Sequence, residues 1–175
     1  MLDGTMGPAI TERARQASAA AVDIIPFRSE LAKDFYRLNA DWLTRYFYLE
    51  ETDHKVLADP EGQIISRGGE IFFAAMGEEI VGTCALLPVG GGEVELTTMG
   101  VAPKAQGLGI GRRLIEAAFE AFERRPEPVL FLETNSRLTP AIRMYESVGF
   151  EHQPAPRADS HYQRANVYMV WKGRG

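Results

Sequence analysis

One cysteine, three histidines and no excess of basic side chains: the 175-residue sequence is short of the groups on which several chemistries depend. The lone Cys84 cannot close an internal disulfide, and its place in the apolar run IVGTCALL marks a small buried hydrophobe rather than a nucleophile. A reducing cytoplasm is the expected compartment. His54, His152 and His161 stand at no metal-ligand spacing and no G-x-S-x-G elbow is present, so neither metal nor serine-hydrolase chemistry is expected. Nineteen Lys and Arg against 24 Asp and Glu give a formal charge of −5, without the basic stripe that a nucleic-acid partner needs. No apolar run approaches the ~20 residues that span a bilayer, so no membrane role is expected either.

What is present fits one folded domain, with 45% hydrophobic residues supplying a single core. Residues 1–20, MLDGTMGPAITERARQASAA, lack the apolar stretch of a secretory signal and read as a flexible leader to a domain over 21–175. Residues 21–27 read as a strand, and Leu31, Phe35, Leu38, Trp42 and Tyr46 then recur at helical spacing. A short helix is expected around Glu51–Ala58. Residues 59–69, DPEGQIISRGG, are broken by Asp59-Pro60 and Gly68-Gly69 and read as a loop that could act as a lid.

EIFFAAM, EIVGTCALL and EVELTTMGV, separated by Gly77-Glu78 and Gly90-Gly91-Gly92, read as an antiparallel meander. An amphipathic helix follows, with Ile110, Leu114, Ala117, Ala118, Ala121 and Phe122 on one face and Arg112, Glu116, Glu120 and Glu123 on the other. Val129–Thr134 is a buried strand. Thr139-Pro140 suit the cap and first turn of a short helix that Gly149 ends, and ANVYMVW is the last strand, with a small one allowed at Phe150–His152. The sum is an α+β domain: a mixed central sheet of six to seven strands flanked by about four helices.

Within this order the run Gln106-Gly107-Leu108-Gly109-Ile110-Gly111-Arg112-Arg113 is costly, because each glycine inside a regular element sacrifices ~0.5–1 kcal/mol relative to alanine. Glycines that open a helix after a strand ending at Val101 leave free N–H groups beside the positive end of the helix dipole, which is an anion site. Missing side chains at Gly107, Gly109 and Gly111 would let a pyrophosphate approach successive amides. A P-loop would need Lys-Ser/Thr where this chain has Arg112-Arg113. A dinucleotide fingerprint would need G-x-G-x-x-G in a parallel βαβ unit, not G-x-G-x-G after a meander.

The run TTMGVAPKAQGLGIGRRLIEAAFEAF, with Gln106-x-x-Gly109-x-Gly111 after Val101-x-Pro103, resembles the acyl-CoA-binding signature of the GNAT superfamily of acyl-CoA-dependent N-acyltransferases. LETNSRLTPAIRMYESVGFE resembles the next strand and helix of that superfamily, with Asn135 after the strand and Tyr145 in Tyr-Glu-x-x-Gly-Phe. The resemblance covers residues 21–171. It implies a single GNAT-like domain whose acyl-CoA cleft lies where the strands ending near Val101 and Thr134 splay apart, with acetyl-CoA as cosubstrate and no metal. The implied pyrophosphate site is the loop Gln106, Gly107, Leu108, Gly109, Ile110, Gly111 and Arg112. Met99 and Val101 would offer backbone groups to the cofactor, and Asn135 would either bond the pantetheine arm or cap a turn.

The implied reaction is direct transfer of an acetyl group to a primary amine of a small molecule or peptide. Tyr145 matches the superfamily's general acid, which protonates the leaving thiolate; its structural alternative is a core aromatic. Glu95, six residues before Val101, aligns with the glutamate that some protein-acetylating members use as base, and strand alternation groups it with Thr97 and Met99. The alternatives there are a solvated carboxylate, with ordered water as the base, for which the Thr97 and Thr98 hydroxyls are possible holders. Trp42, Tyr46, Phe47 and Tyr48 read first as core packing and second as an acceptor wall. Glu50, Glu51 and Asp53 read as a solvated acidic face that would modestly favour cationic or neutral amines over acceptors with several negative charges. No motif in residues 28–69, where the acceptor should bind, names it. A non-catalytic acyl-CoA-binding regulatory module is the alternative function, and a homodimer is compatible with either.

Overall fold

A computed structural model describes residues 21–174; the leader read over residues 1–20 lies outside the described residues. The chain runs β1 (Val22–Pro26), α1 (Ala32–Tyr46), α2 (Glu51–Ala58), α3 (Pro60–Gln63), β2 (Glu70–Met76), β3 (Glu79–Gly90) and β4 (Glu93–Val101). It continues with α4 (Ile110–Glu123), β5 (Val129–Thr134), α5 (Thr139–Ser147), β6 (Phe150–His152) and β7 (Val167–Trp171). The seven strands form one sheet in the order β1-β2-β3-β4-β5-β7-β6, with β4 and β5 parallel and the other neighbours antiparallel. This is the mixed-sheet α+β domain read from the sequence.

Helix α4 buries the expected Ile110, Leu114, Ala118, Ala121 and Phe122, and adds Ile115 and Phe119, which the expected stripe omitted. Phe119 stacks on Trp171 at 4.1 Å between ring centroids, so the helix is pinned to β7 as well as to the meander. Each of the large side chains so buried, the Ile, Leu and Phe residues, contributes roughly 1.5–3 kcal/mol. Cys84 is buried with its Sγ 3.6 Å from the Leu114 carbonyl, and burial pushes its thiol up to about 12, as befits a small hydrophobe.

Two local expectations need correction. Residues 59–69 are no open lid: Pro60–Gln63 form α3, which Asp59 caps by accepting from Gly62 N at 3.0 Å, and Ile65–Arg67 form a 3-10 turn. Ile64 between them is fully buried, so the segment is anchored in the core and supplies a fifth helix. Thr139 is the first residue of α5 and not its cap; Leu138 precedes the helix without a side-chain cap, and Pro140 lies in the first turn.

Two irregularities at the centre of the sheet create the working part of the fold. Strand β4 pairs with β5 only at Glu93↔Val129, Val94↔Leu130 and Glu95↔Phe131, after which the two strands splay although each continues, to Val101 and Thr134. In the same stretch β4 slips against β3: Ala85 pairs with Thr97 and Thr83 with Gly100, so one extra residue is accommodated, and Thr98 takes φ +50°. A bulge reverses strand alternation. Glu95 and Thr97 therefore share one face, while Met99 turns to the opposite face and lies against α4, where a Cβ on Gly111 would stand 3.0 Å from Met99 Cε. The expected grouping of Met99 with Glu95 and Thr97 fails because simple alternation does not anticipate the bulge.

Candidate active site

The splay opens into a cleft of about 630 Å³ that runs through the sheet between two differently built walls. The first wall belongs to α4 and α5. Gly107 and Gly109 have φ of +79° and +76°, backbone that a side chain would strain, and no atom lies within 4 Å of a Cβ at either position. The space above them is open. The first bond of α4 runs from Arg113 N to Gly109 O, so the amides of Ile110, Gly111 and Arg112 start the helix without an intrahelical acceptor. Gln106 steadies the loop by donating from Nε2 to the Val101 carbonyl at 3.2 Å, and Arg112 ties α4 to α5 through Ser147 Oγ at 2.8 Å.

The three glycines thus serve two purposes. Gly107 and Gly109 provide positive φ, whereas Gly111 is a helical residue kept small by the nearby Met99 and Met144 side chains. Met99, Val101, Gln106, Gly107, Gly109 and Ile110 all line the cleft, as do Gly111, Arg112 and Asn135. Leu108 does not line it and instead packs on the core. Asn135 has the turn-capping arrangement: its Oδ1 accepts from Arg137 N at 2.9 Å and its Nδ2 donates to the Arg164 carbonyl at 2.7 Å.

Tyr145 enters the cleft from α5. Its ring packs edge-on to Phe150 at 6.0 Å, and among the described residues its hydroxyl meets only the Met99 sulfur, at 3.9 Å. Burial, with a smaller contribution from Cys84, pushes the phenol up to about 12, so it is a proton donor at neutral pH. A thioether is a weak acceptor, and the donor is therefore under-used.

The second wall is formed by α1, α2 and the connection 153–166. Glu95 projects here, half-buried, on the same face as Thr97. Burial first, and then the neighbouring Glu133, push Glu95 up to about 7, against opposing effects of Arg157 and Thr97. Glu133 is itself raised, chiefly by burial. Trp42, Tyr46 and Phe47 line this side. The core-packing reading of the aromatic group holds for Trp42, which packs against the core, and fails for Tyr46 and Tyr48, which are 47% and 63% exposed. Asn39 Oδ1, Trp42 Nε1 and Thr98 Oγ1, where α1 faces the bulge, are buried atoms without a hydrogen-bond partner among the described residues.

The acidic face also needs correction. Glu51 is exposed, but Asp53 is buried, and both Glu50 and Asp53 are paired with Arg164 at 3.0 and 2.5 Å. One guanidinium offsets only one of these two charges, so the pair is not a solvated face but a hydrogen-bonded unit within the protein that leaves one net negative charge, with Asp53 lining the cleft. Arg164, Tyr162 and Glu133 line the cleft and were missed by sequence reasoning, which looked for the acceptor wall only in residues 28–69. The available signal was the 14-residue length of the connection from His152 to Val167, long for a link between antiparallel neighbours. Among the described residues no group of three or more His, Cys, Asp or Glu is gathered as a metal site, and no helix is long and apolar enough to cross a membrane.

Residues 28–150 match the sequence model of the Acetyltransferase (GNAT) family. The chain is 45% identical over 58 residues to a mycothiol acetyltransferase of Acidothermus cellulolyticus, covering 33% of this chain and 18% of that protein. It is 38% identical over 82 residues to the ribosomal protein bS18-alanine N-acetyltransferase of Escherichia coli, covering 47% of this chain and 50% of the relative. The chain thus spans half or less of the length of these two curated relatives. Its fold is shared with an acetyltransferase of the GNAT family from Staphylococcus aureus (TM-score 0.78, 18% identity, 86% of this chain and 98% of the other). A Bacillus subtilis acetyltransferase in complex with CoA is also similar (TM-score 0.65, 18% identity, 86% of this chain and 97% of the other). A family match over residues 28–150, on a sheet with the same overall fold, leads to one conclusion: the chain belongs to the GNAT family of acetyltransferases.

Proposed function

We propose that this protein transfers the acetyl group of acetyl-CoA directly to a primary amine carried by a small molecule or a peptide. The observation that carries the reading is the splay of β4 from β5, with a protonated phenol at one wall and a carboxylate tuned to about 7 at the other. Acetyl-CoA suits the first wall. Free amides at the start of α4 and the open space over Gly107 and Gly109 fit a pyrophosphate, and the gap between the strands fits a thin pantetheine chain. When bound, acetyl-CoA supplies the thioester carbonyl that an amine attacks.

The residues then divide the proton traffic. Glu95 takes a proton from the acceptor ammonium, directly or through one water, and releases the lone pair that forms the new amide bond. A carboxylate near 7 is half ionised at neutral pH and better matched to an amine than one at its ordinary value. Tyr145 gives its proton to the sulfur as the carbon–sulfur bond breaks, exchanging a thioether contact for a far better acceptor, and the second proton that the nitrogen sheds on becoming an amide restores the phenol. The presence of both groups at one cleft supports catalysis over a purely binding role.

The test is thiol release from acetyl-CoA with a mixed panel of primary amines and N-terminal peptides. Release that depends on the amine is expected; a folded protein that liberates no thiol with any of them would overturn the proposal.

A further inference from the structure

The connection 153–166 contains no helix or strand, yet it is fastened across the acceptor side at several points. Near its start, Arg157 lies 3.9 Å over the Phe131 ring and donates to Glu93 at 2.5 Å. Near its end, Arg164 uses both guanidinium arms: Nη2 donates to Asp53 Oδ1 at 2.8 Å, and Nη1 to Asp53 Oδ2 at 2.5 Å and Glu50 Oε2 at 3.0 Å. Glu50 also accepts from Gln163 N at 2.8 Å, and Asp53 returns to the Glu50 amide at 2.8 Å in the capping box of α2. The corner between α1 and α2 and the end of the strap are thus one hydrogen-bonded unit.

A buried ion triad is a poor way to gain stability, because desolvation of the charges offsets most of their attraction. Burial does work against the Arg164 charge, and it is Asp53, with Glu50, that more than restores it. What a bidentate fork provides is fixed geometry. The guanidinium plane held in this way lies 4.5 Å from the Tyr162 ring, and Tyr162 lines the cleft on the side of Glu95. The Tyr162 hydroxyl has no hydrogen-bond partner among the described residues, and its phenol is raised by burial and then by the Glu95 charge, so it stays protonated.

We infer that Arg164 is a positioning residue: its clamp on Glu50 and Asp53 holds Tyr162 over the cleft beside Glu95, where the phenol oxygen accepts a hydrogen bond from the incoming ammonium. The part played by the ammonium rests on the acetyl-transfer reading, whereas the clamp does not. Two N–H groups of the acceptor are then held, one by Tyr162 and one by Glu95, and the nitrogen's approach to the thioester is fixed before the proton leaves.

Arg164→Lys keeps the positive charge that Glu50 and Asp53 need and removes the planar fork, while Tyr162→Phe removes only the hydroxyl. Each should raise the KM of the best amine from the panel by about 10- to 100-fold, the range for a lost hydrogen bond to a charged group, with acetyl-CoA affinity unchanged by calorimetry. Because Arg164 acts through Tyr162, the double variant should be no worse than the poorer single one. Hydrogen exchange, which needs no activity, should show the amides of residues 158–165 exchanging faster in Arg164→Lys while α4 keeps its protection. An unchanged acceptor KM in either variant, additive effects in the double variant, or unchanged exchange in the strap would overturn the inference. A wild type that releases no thiol with any amine would overturn the acetyl-transfer reading and the ammonium contact with it, leaving the clamp to be decided by exchange.

Discussion

The two walls of the cleft are built by opposite strategies. The proposed cofactor side is local: within the seven residues Gln106 to Arg112, the loop brings its own positive φ values at Gly107 and Gly109 and runs directly into the first turn of the helix whose amides it presents. The proposed acceptor side is long-range: Glu95 comes from β4, Glu133 from β5, Trp42 from α1, and Tyr162 and Arg164 from a strap more than a hundred residues after α2 begins. A common reagent can be met by a fixed local device. On the proposed reading the acceptor is met instead by contacts among distant segments.

The sharpest way to break this contrast is at the local device. Gly109→Val places a β-branched residue at φ +76°, so the loop must refold and its amides turn away. The rise in melting temperature that acetyl-CoA gives the wild type should disappear. A folded Gly109→Val protein that keeps the full shift would mean that the loop is not the cofactor site.

Next in size is Tyr145→Phe. It preserves the contact with Phe150 and should leave acetyl-CoA affinity intact, while turnover falls by roughly 10²–10⁴-fold through loss of the general acid. Full turnover in this variant, measured by thiol release at saturating cosubstrates, would reduce Tyr145 to a packing residue.

Glu95→Gln probes the other wall through stability. The Glu95 proton is held to about 7 in the folded protein against an ordinary value of 4.5, so its contribution is fully present below 4.5 and is lost as pH rises through 7. Removing the charge should therefore stabilise the protein at about pH 8 by roughly 2 kcal/mol, the shift being discounted for partial exposure, and barely at all at about pH 4. That corresponds to a melting temperature higher by roughly 4–8 °C on the alkaline side only. Equal changes at both pH values would place Glu95 in an ordinary solvated setting.

The smallest effect concerns acceptor charge. With Arg164 offsetting one of the two charges on Glu50 and Asp53, the acidic field facing an acceptor comes from Glu95, Glu133 and the remaining charge of that pair, in part offset by Arg157. Phosphorylated amines should react several-fold more slowly than their neutral counterparts, and added salt should narrow the gap. A salt-independent ratio would remove electrostatics from acceptor choice.

The contrast between the walls also explains what could be read from the sequence. Helix α4, the meander, the glycine loop and Tyr145 rest on periodicity and short motifs, and each is found where it was read. The Thr98 bulge was not legible, because one residue out of register leaves no compositional mark, and so Met99 was assigned to the wrong face. Asp53 looked like a solvated carboxylate because its partner, Arg164, is 111 residues away. Residues 59–69 looked like a loop because Pro60 and the glycines outweigh a single buried Ile64 in any local window.

The most direct test of the account is the dependence of kcat/KM on pH for wild type and Glu95→Gln with the same amine. The wild type should rise through a limb near 7, set by Glu95 in the free enzyme, and level off above it. Glu95→Gln should lose that limb, react most poorly relative to wild type near neutrality, and recover only as the amine itself becomes free base, with acetyl-CoA affinity unaltered. Parallel profiles of equal height would contradict the account, removing Glu95 from proton transfer and leaving a water held by Thr97 as the base.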